Sequence, residues 1–292
     1  MLIASSAQAQ NLFVSDYADG TITQISPSGA QSTFASGLVY PQGLAFNSAG
    51  DLFVSCYGSG SGGGYITEIT PSGVQSTFAS GLNGPFGLAF NSAGNLFVAD
   101  YFSGNIYEYT ASGAQSTFAS ELVYPDGVAF NSAGDLFVSE WLGNIIELTP
   151  GGQQTTFASV SSWGLAFNSA GSLFVSLYGG DISEYTPGGT QSTFASGLDY
   201  PIGLAFDNAG DLFEADEGSG NIIELTPGGV QSTLTSGLSE PFELAFQGET
   251  LPVPEPSTLG LLAVGAFGIT LLRRHQVNPH TTAKQNKTTN RL

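Results

Sequence analysis

The sequence predicts an all-β chain wound into a six-bladed propeller of four-stranded antiparallel blades. Three observations carry that prediction. The phrase GLAFNSAGDLFVS, first complete at Gly43–Ser55, returns at Gly87–Ala99, Gly127–Ser139, Gly164–Ser176 and Gly203–Ala215. Its LFV core, or a variant, begins at Leu12, Leu52, Leu96, Leu136, Leu173 and Leu212, with spacings of 40, 44, 40, 37 and 39 residues. A period near 40 means a propeller or a solenoid. The series is also out of step at its ends, opening half-way at Asn11–Ser15 and stopping half-way at Glu243–Phe246. If the strand at 244–246 pairs beside Asn11–Ser15, the ring closes and hides edges that an open solenoid would leave bare.

Taken in order, residues 1–10 read as the remnant of a signal peptide. Ala7-Gln8-Ala9 has the small-x-small form of a cleavage site, but no basic segment precedes the short apolar run Leu2-Ile3-Ala4. We expect the start to lie upstream. An in-frame upstream start codon would support this, and its absence would refute it.

Residues 11–247 are the propeller. In its second unit Leu44–Phe46 is a strand, and Asn47-Ser48-Ala49-Gly50 is a hairpin turn with glycine at the positive-φ position. Leu52–Ser55 is a second strand, apolar on both faces, as a sheet between neighbouring sheets requires. The insertion Gly58–Gly64 accounts for the 44-residue spacing. It is no phosphate loop, since neither a Lys nor a helix follows. Ile66–Thr70, a Pro71-Ser72-Gly73 turn and Gln75–Ser80 complete four strands, the unit of a blade.

A linker, 248–257, carries Pro254, Glu255 and Pro256. An apolar helix with a basic stop at Arg273 and Arg274 is predicted over 258–274, followed by a polar tail, 275–292, without regular structure. Fourteen apolar residues are fewer than the roughly 20 of a comfortable membrane span. The arginines place the C-terminal side in the cytoplasm.

Charge narrows the function. All five Lys and Arg lie in the tail and all 24 carboxylates precede Pro256. The repeats contain no Lys, Arg or His, so phosphate contacts from side-chain cations are unavailable and nucleic acid is excluded as a partner. Triads that need a histidine base are excluded too, and zinc has no ligand set. Cys56 is the single cysteine, a small residue in a column otherwise of Asp, Glu and Leu.

One face of the ring varies where the other repeats NSAG and PSG turns. The second strands end at Asp16, Cys56, Asp100, Glu140, Leu177 and Asp216, followed by Tyr17, Tyr57, Tyr101, Trp141, Tyr178 and Glu217. Before the glycine of each inner strand, or Glu243 in its place, stand Gln42, Phe86, Asp126, Trp163, Ile202 and Phe242. We read Asp16, Tyr17, Tyr57, Phe86, Tyr101, Trp141, Trp163, Tyr178 and Asp216 as a ligand-binding face suited to sugars. Asp100, Asp126 and Glu140 form the best carboxylate cluster, a candidate for Ca2+ because every ligand there is oxygen. A structural reading competes: the acids satisfy loop amides and the rings pack between blades.

PxGLAF, NLFVAD and a third strand opening NIY resemble the NHL-type repeat and the wider group of six-bladed propellers that includes gluconolactonases. The resemblance covers 11–247 and implies the fold, which hosts hydrolases, lyases and binding modules. Gluconolactonases hold a metal with Asn, Asp and Glu, mostly at the position before the inner-strand glycine, where only Asp126 matches. Virginiamycin-lyase-like propellers need a histidine that this domain lacks. The Pro-Glu-Pro motif, apolar helix and basic stop resemble the PEP-CTERM sorting signal. That implies export, recognition by an exosortase, a membrane-anchored precursor, and association with the cell surface or extracellular polysaccharide. The function expected is a non-enzymatic binding module for polysaccharide or a surface protein. The alternative is a Ca2+-dependent lactonase-like hydrolase at Asp100, Asp126 and Glu140.

Overall fold

The structure is a computed structural model and describes residues 10–59 and 62–248. The predicted signal remnant over 1–9, the linker beyond 248, the sorting helix 258–274 and the tail 275–292 lie outside the described residues.

Six four-stranded antiparallel sheets make the propeller. The innermost strands are Pro41–Phe46, Pro85–Phe90, Pro125–Phe130, Ser162–Phe167, Pro201–Phe206 and Pro241–Phe246. Each lies beside the innermost strands of both neighbouring blades, so the six close a ring. In blade 2 the chain steps outward through Leu52–Cys56 and Gly64–Ile69 to Gln75–Leu82. Blade 1 takes its inner strand from the far end of the domain. Pro241–Phe246 pairs antiparallel with Leu12–Asp16 in the register Leu12↔Phe246, Phe13↔Ala245, Val14↔Leu244. This is the closure the ends of the repeat predict.

The inner strands start earlier than the LAF phrase because each carries a bulge. In blade 2, Pro41 pairs with Cys56 and Leu44 with Val54, leaving Gln42 and Gly43 both opposite Ser55. All six inner strands have the same shift. A bulge re-aims the side chain beside it, and here that side chain is the residue before the glycine.

Packing between blades explains the recurring letters. Phe53 of LFV meets Phe78 and Phe90 edge-on at 5.0 and 5.1 Å, tying blade 2 to blade 3. Equivalent trios form at Phe13, Phe97, Phe137 and Phe174. Edge-to-face pairs contribute about 0.5–1.5 kcal/mol each beyond their buried area. Leu52 and Val54 point the other way, into the core between blades 1 and 2, with the free thiol of Cys56. The glutamine of QSTFAS reaches across the outer rim: Gln75 Nε2 donates to Ser36 O of blade 1 at 3.2 Å. The turns are built as their sequence requires. Asn47 Oδ1 accepts from the Ala49 and Asp51 amides at 2.9 Å, with Gly50 at φ 86°.

Candidate binding face and axial channel

The acids that end the second strands hold loop amides. Asp16 accepts from Ser239 N at 2.9 Å, Asp100 from Asn83 N at 3.0 Å, Glu140 from Val123 N at 2.7 Å and Asp216 from Asp199 N at 2.9 Å. All four are buried. Each therefore fastens the loop that leads into an inner strand. Burial pushes the Asp100 carboxyl above its usual range, opposed by the Asn83 amide. Among the described residues no three of His, Cys, Asp and Glu stand as a group that could hold a metal, Asp100, Asp126 and Glu140 included.

The aromatic residues named from the sequence come together. Phe86 lies over Tyr101 at 4.9 Å and meets Tyr57 at 6.0 Å. Tyr101 meets Trp141 at 6.4 Å, and Trp141 meets Trp163 at 4.9 Å. Trp163 lies on Tyr178 at 4.6 Å. Phe242 joins Phe86, Trp163 and Tyr17 at 6.2, 6.4 and 6.2 Å.

Three tyrosines that sequence reasoning missed stand above this network. Tyr40, Tyr124 and Tyr200 have φ of 53°, 53° and 61°. A bulky residue in the left-handed region is an outlier. A following proline normally drives its neighbour to extended backbone, and all three precede one: Pro41, Pro125 and Pro201. At the corresponding place in another repeat stands Gly84, at φ 75°. The three residues are 45, 41 and 51 % exposed. Tyr40 stacks on Tyr17 at 4.9 Å and Tyr124 on Tyr101 at 5.0 Å. Their carbonyls accept the amides of Tyr57, Trp141 and Glu217 at 3.1, 3.1 and 3.2 Å. The signal was present in the sequence as Leu-Val-Tyr-Pro twice and Leu-Asp-Tyr-Pro once, but φ cannot be read from letters.

These tyrosines lead into blades 2, 4 and 6, and the channel follows the same alternation. Blades 1, 3 and 5 place Phe242, Phe86 and Trp163 before the glycine position, where their rings approach one another. Blades 2, 4 and 6 place Gln42, Asp126 and Ile202 there, all buried. Gln42 Oε1, Asp126 Oδ2, Trp163 Nε1 and Tyr178 OH are buried without a hydrogen-bond partner. Burial, then the Glu243 carboxylate, raises the Asp126 carboxyl well above its usual range. Burial, then Asp126, pushes Tyr101 up to about 12.

Serine hydroxyls lock this level. Ser139 Oγ accepts from Gly127 N at 2.8 Å and donates to Trp163 O of the next blade at 2.7 Å. Ser15, Ser55 and Ser176 bridge in the same way, whereas blades 3 and 6 carry Ala99 and Ala215. The glycines are compelled by closeness: a Cβ at Gly127 would lie 2.5 Å from Trp163 O. Blade 1 alone replaces this glycine, with Glu243. Gly203 leaves it space, since a Cβ there would lie 2.9 Å from Glu243 Oε1.

The channel opens on the opposite face as well. A cavity of about 1340 Å3 opens among the NSAG turns and is walled by all six inner strands. It reaches inward to Gly87, Gly127 and Glu243. The cavity arises because the walls are Leu, Ala and Phe, whose bulk packs sideways between blades.

Residues 252–274 match the PEP-CTERM protein-sorting motif. The match implies export, recognition by an exosortase-type enzyme and a membrane-anchored precursor before processing. No curated protein matches the chain in sequence. Among solved structures, one from a nidogen/laminin complex aligns with a TM-score of 0.73 at 17 % identity, covering 82 % of this chain and 98 % of that one. Virginiamycin B lyase from Staphylococcus aureus aligns at 0.63 and 18 %, covering 86 % and 92 %. A candidate gluconolactonase aligns at 0.63 and 18 %, covering 77 % and 85 %. At such identities the likeness is one of fold.

Proposed function

We propose that this exported propeller is a surface binding module whose aromatic mouth face takes up extracellular polysaccharide. The observation that carries the reading is the rim of Tyr40, Tyr124 and Tyr200. Three exposed tyrosines are held in a backbone conformation costing on the order of 1–3 kcal/mol each, where Gly84 serves the same turn in another repeat. Tyrosine offers a flat apolar face with a polar tip, the combination that sugar rings meet well. Loops rigidly fastened by Asp16, Asp100, Glu140 and Asp216 spare the ordering cost of binding. An uncharged or weakly charged polymer suits a domain that cannot pair anions.

Affinity electrophoresis through gels containing the producing strain's polysaccharide tests this. The full chain is expected to be retarded, and the Tyr40→Ala/Tyr124→Ala/Tyr200→Ala variant to run freely with its fold intact by circular dichroism. Equal retardation of both proteins would refute the reading. Retardation by surface protein extracts but not by polysaccharide would shift it to a protein partner.

A further inference from the structure

We propose that the axial cavity on the turn face is a second binding site, for an elongated apolar molecule ending in an ammonium group. Glu243 would receive that charge at the inner end, backed by the buried Asp126. The site is separate from the aromatic rim and does not depend on it.

Four observations lead there. The cavity, about 1340 Å3 with the cleft between blades 2 and 3 included, exceeds the roughly 300–1,000 Å3 range of ligand pockets. Its inner wall is a ring of Leu44, Leu88, Val128, Leu165, Leu204 and Leu244, which suits an apolar body. Its inner end reaches Glu243, the one departure from glycine in an otherwise uniform column, with Gly203 leaving the carboxylate room. Asp126 belongs to blade 4, opposite blade 1 in a ring of six, and its buried Oδ2 has no hydrogen-bond partner.

Charge then selects the ligand. Glu243 is half-buried at the inner end of the cavity, where its Oε1 accepts the Leu244 amide at 3.2 Å, and Asp126 is buried close enough for the two charges to repel, while residues 10–248 contain no Lys, Arg or His to neutralise them. The neutralising charge must be a proton or come from outside. Burial and Glu243 favour the protonated form of Asp126 in the empty channel. An ammonium group would displace that proton, because an adjacent cation favours the ionised acid. The rings of Phe86 and Trp163 stand 6.2 and 6.4 Å from that of Phe242, the residue before Glu243, and cation–π attraction would add to the hold.

The test is calorimetric titration of the full chain with alkylammonium ions from butyl to decyl, with the matching alcohols as uncharged controls. We expect saturable binding of the ammonium series and at least tenfold weaker binding of the alcohols. Binding heat should vary with buffer ionisation enthalpy, reporting proton release. Glu243→Gly, which restores the residue of the other five blades, and Glu243→Gln should each weaken binding tenfold or more, with unchanged circular dichroism. The rim variant with three alanines should bind normally. Absence of binding across the series, equal binding of the alcohols, or full affinity in both Glu243 variants would overturn the proposal.

Discussion

Glu214 shows what one residue can cost the fold. It stands where the other five blades carry valine, is fully buried, and both carboxyl oxygens lack a partner. Burial, then Asp216, pushes it up to about 9. The folded protein therefore holds a proton that the unfolded chain releases above its ordinary value near 4.5. Stability falls as pH rises wherever the folded state binds more protons than the unfolded chain. The contribution is full below pH 4.5 and drains away as pH rises towards 9. At pH 7 the loss is on the order of 3 kcal/mol at about 1.4 kcal/mol per pH unit. Urea melts of Glu214→Val should show higher stability at pH 7 and a shallower decline between pH 5 and 9. Unchanged slopes would show that Glu214 is ionised in the fold. Such a residue is visible in the sequence as the LFEAD variant of LFVAD. Its burial follows only once the valine column is known to pack between blades.

Among elements, the second strand and its serine latch decide how tightly neighbouring blades join. Ser139→Ala would leave the buried Gly127 amide and Trp163 carbonyl without their shared partner, at a cost of about 1–3 kcal/mol. The converse substitution is equally informative. Ala99→Ser supplies the hydroxyl missing between Gly87 and Asp126, and should stabilise by about 1 kcal/mol. Thermal melts of both variants check the pair, and a latch without energetic weight would move neither. The strands themselves were legible because alternation, turn chemistry and repeat length agree on them. The bulge was not, since Gln42 and Gly43 look like any other strand residues until their pairing with Ser55 is seen. The acid column was legible as a column. That its members fasten loop amides, as Glu140 does at Val123, depends on where the loop passes.

At the scale of the molecule, the ring is closed by Pro241–Phe246 on Leu12–Asp16, and its described part carries charge of one sign. Deleting 241–248 removes the inner strand of blade 1 and exposes the Leu12–Asp16 edge. Cooperative unfolding should be lost, as read by calorimetry. Self-repulsion among carboxylates without any cation should also make the propeller more stable in salt, since screening shortens its range to about 10 Å at 0.1 M. A melting temperature independent of NaCl would count against this. Six-fold closure was readable from the phase of the repeat, and the sorting signal from its three parts in order. The three-fold alternation of tyrosine rim and channel residues was not. It needs the ring, because Tyr40, Tyr124 and Tyr200 are far apart in the chain and fall into a pattern only when every second blade is seen to carry one.

The central claim is that strain at the rim is kept for binding, and Tyr200→Gly tests it most directly. Tyr200 has φ 61°, and glycine adopts that backbone freely. Relief of about 1–3 kcal/mol outweighs the roughly 0.5–1 kcal/mol entropic penalty of glycine. Melting temperature and retardation by polysaccharide should be measured on the same preparation. The account predicts a melting temperature raised by about 2–4 °C together with weakened retardation. A variant that melts lower, or that gains stability while binding as tightly as before, would contradict it.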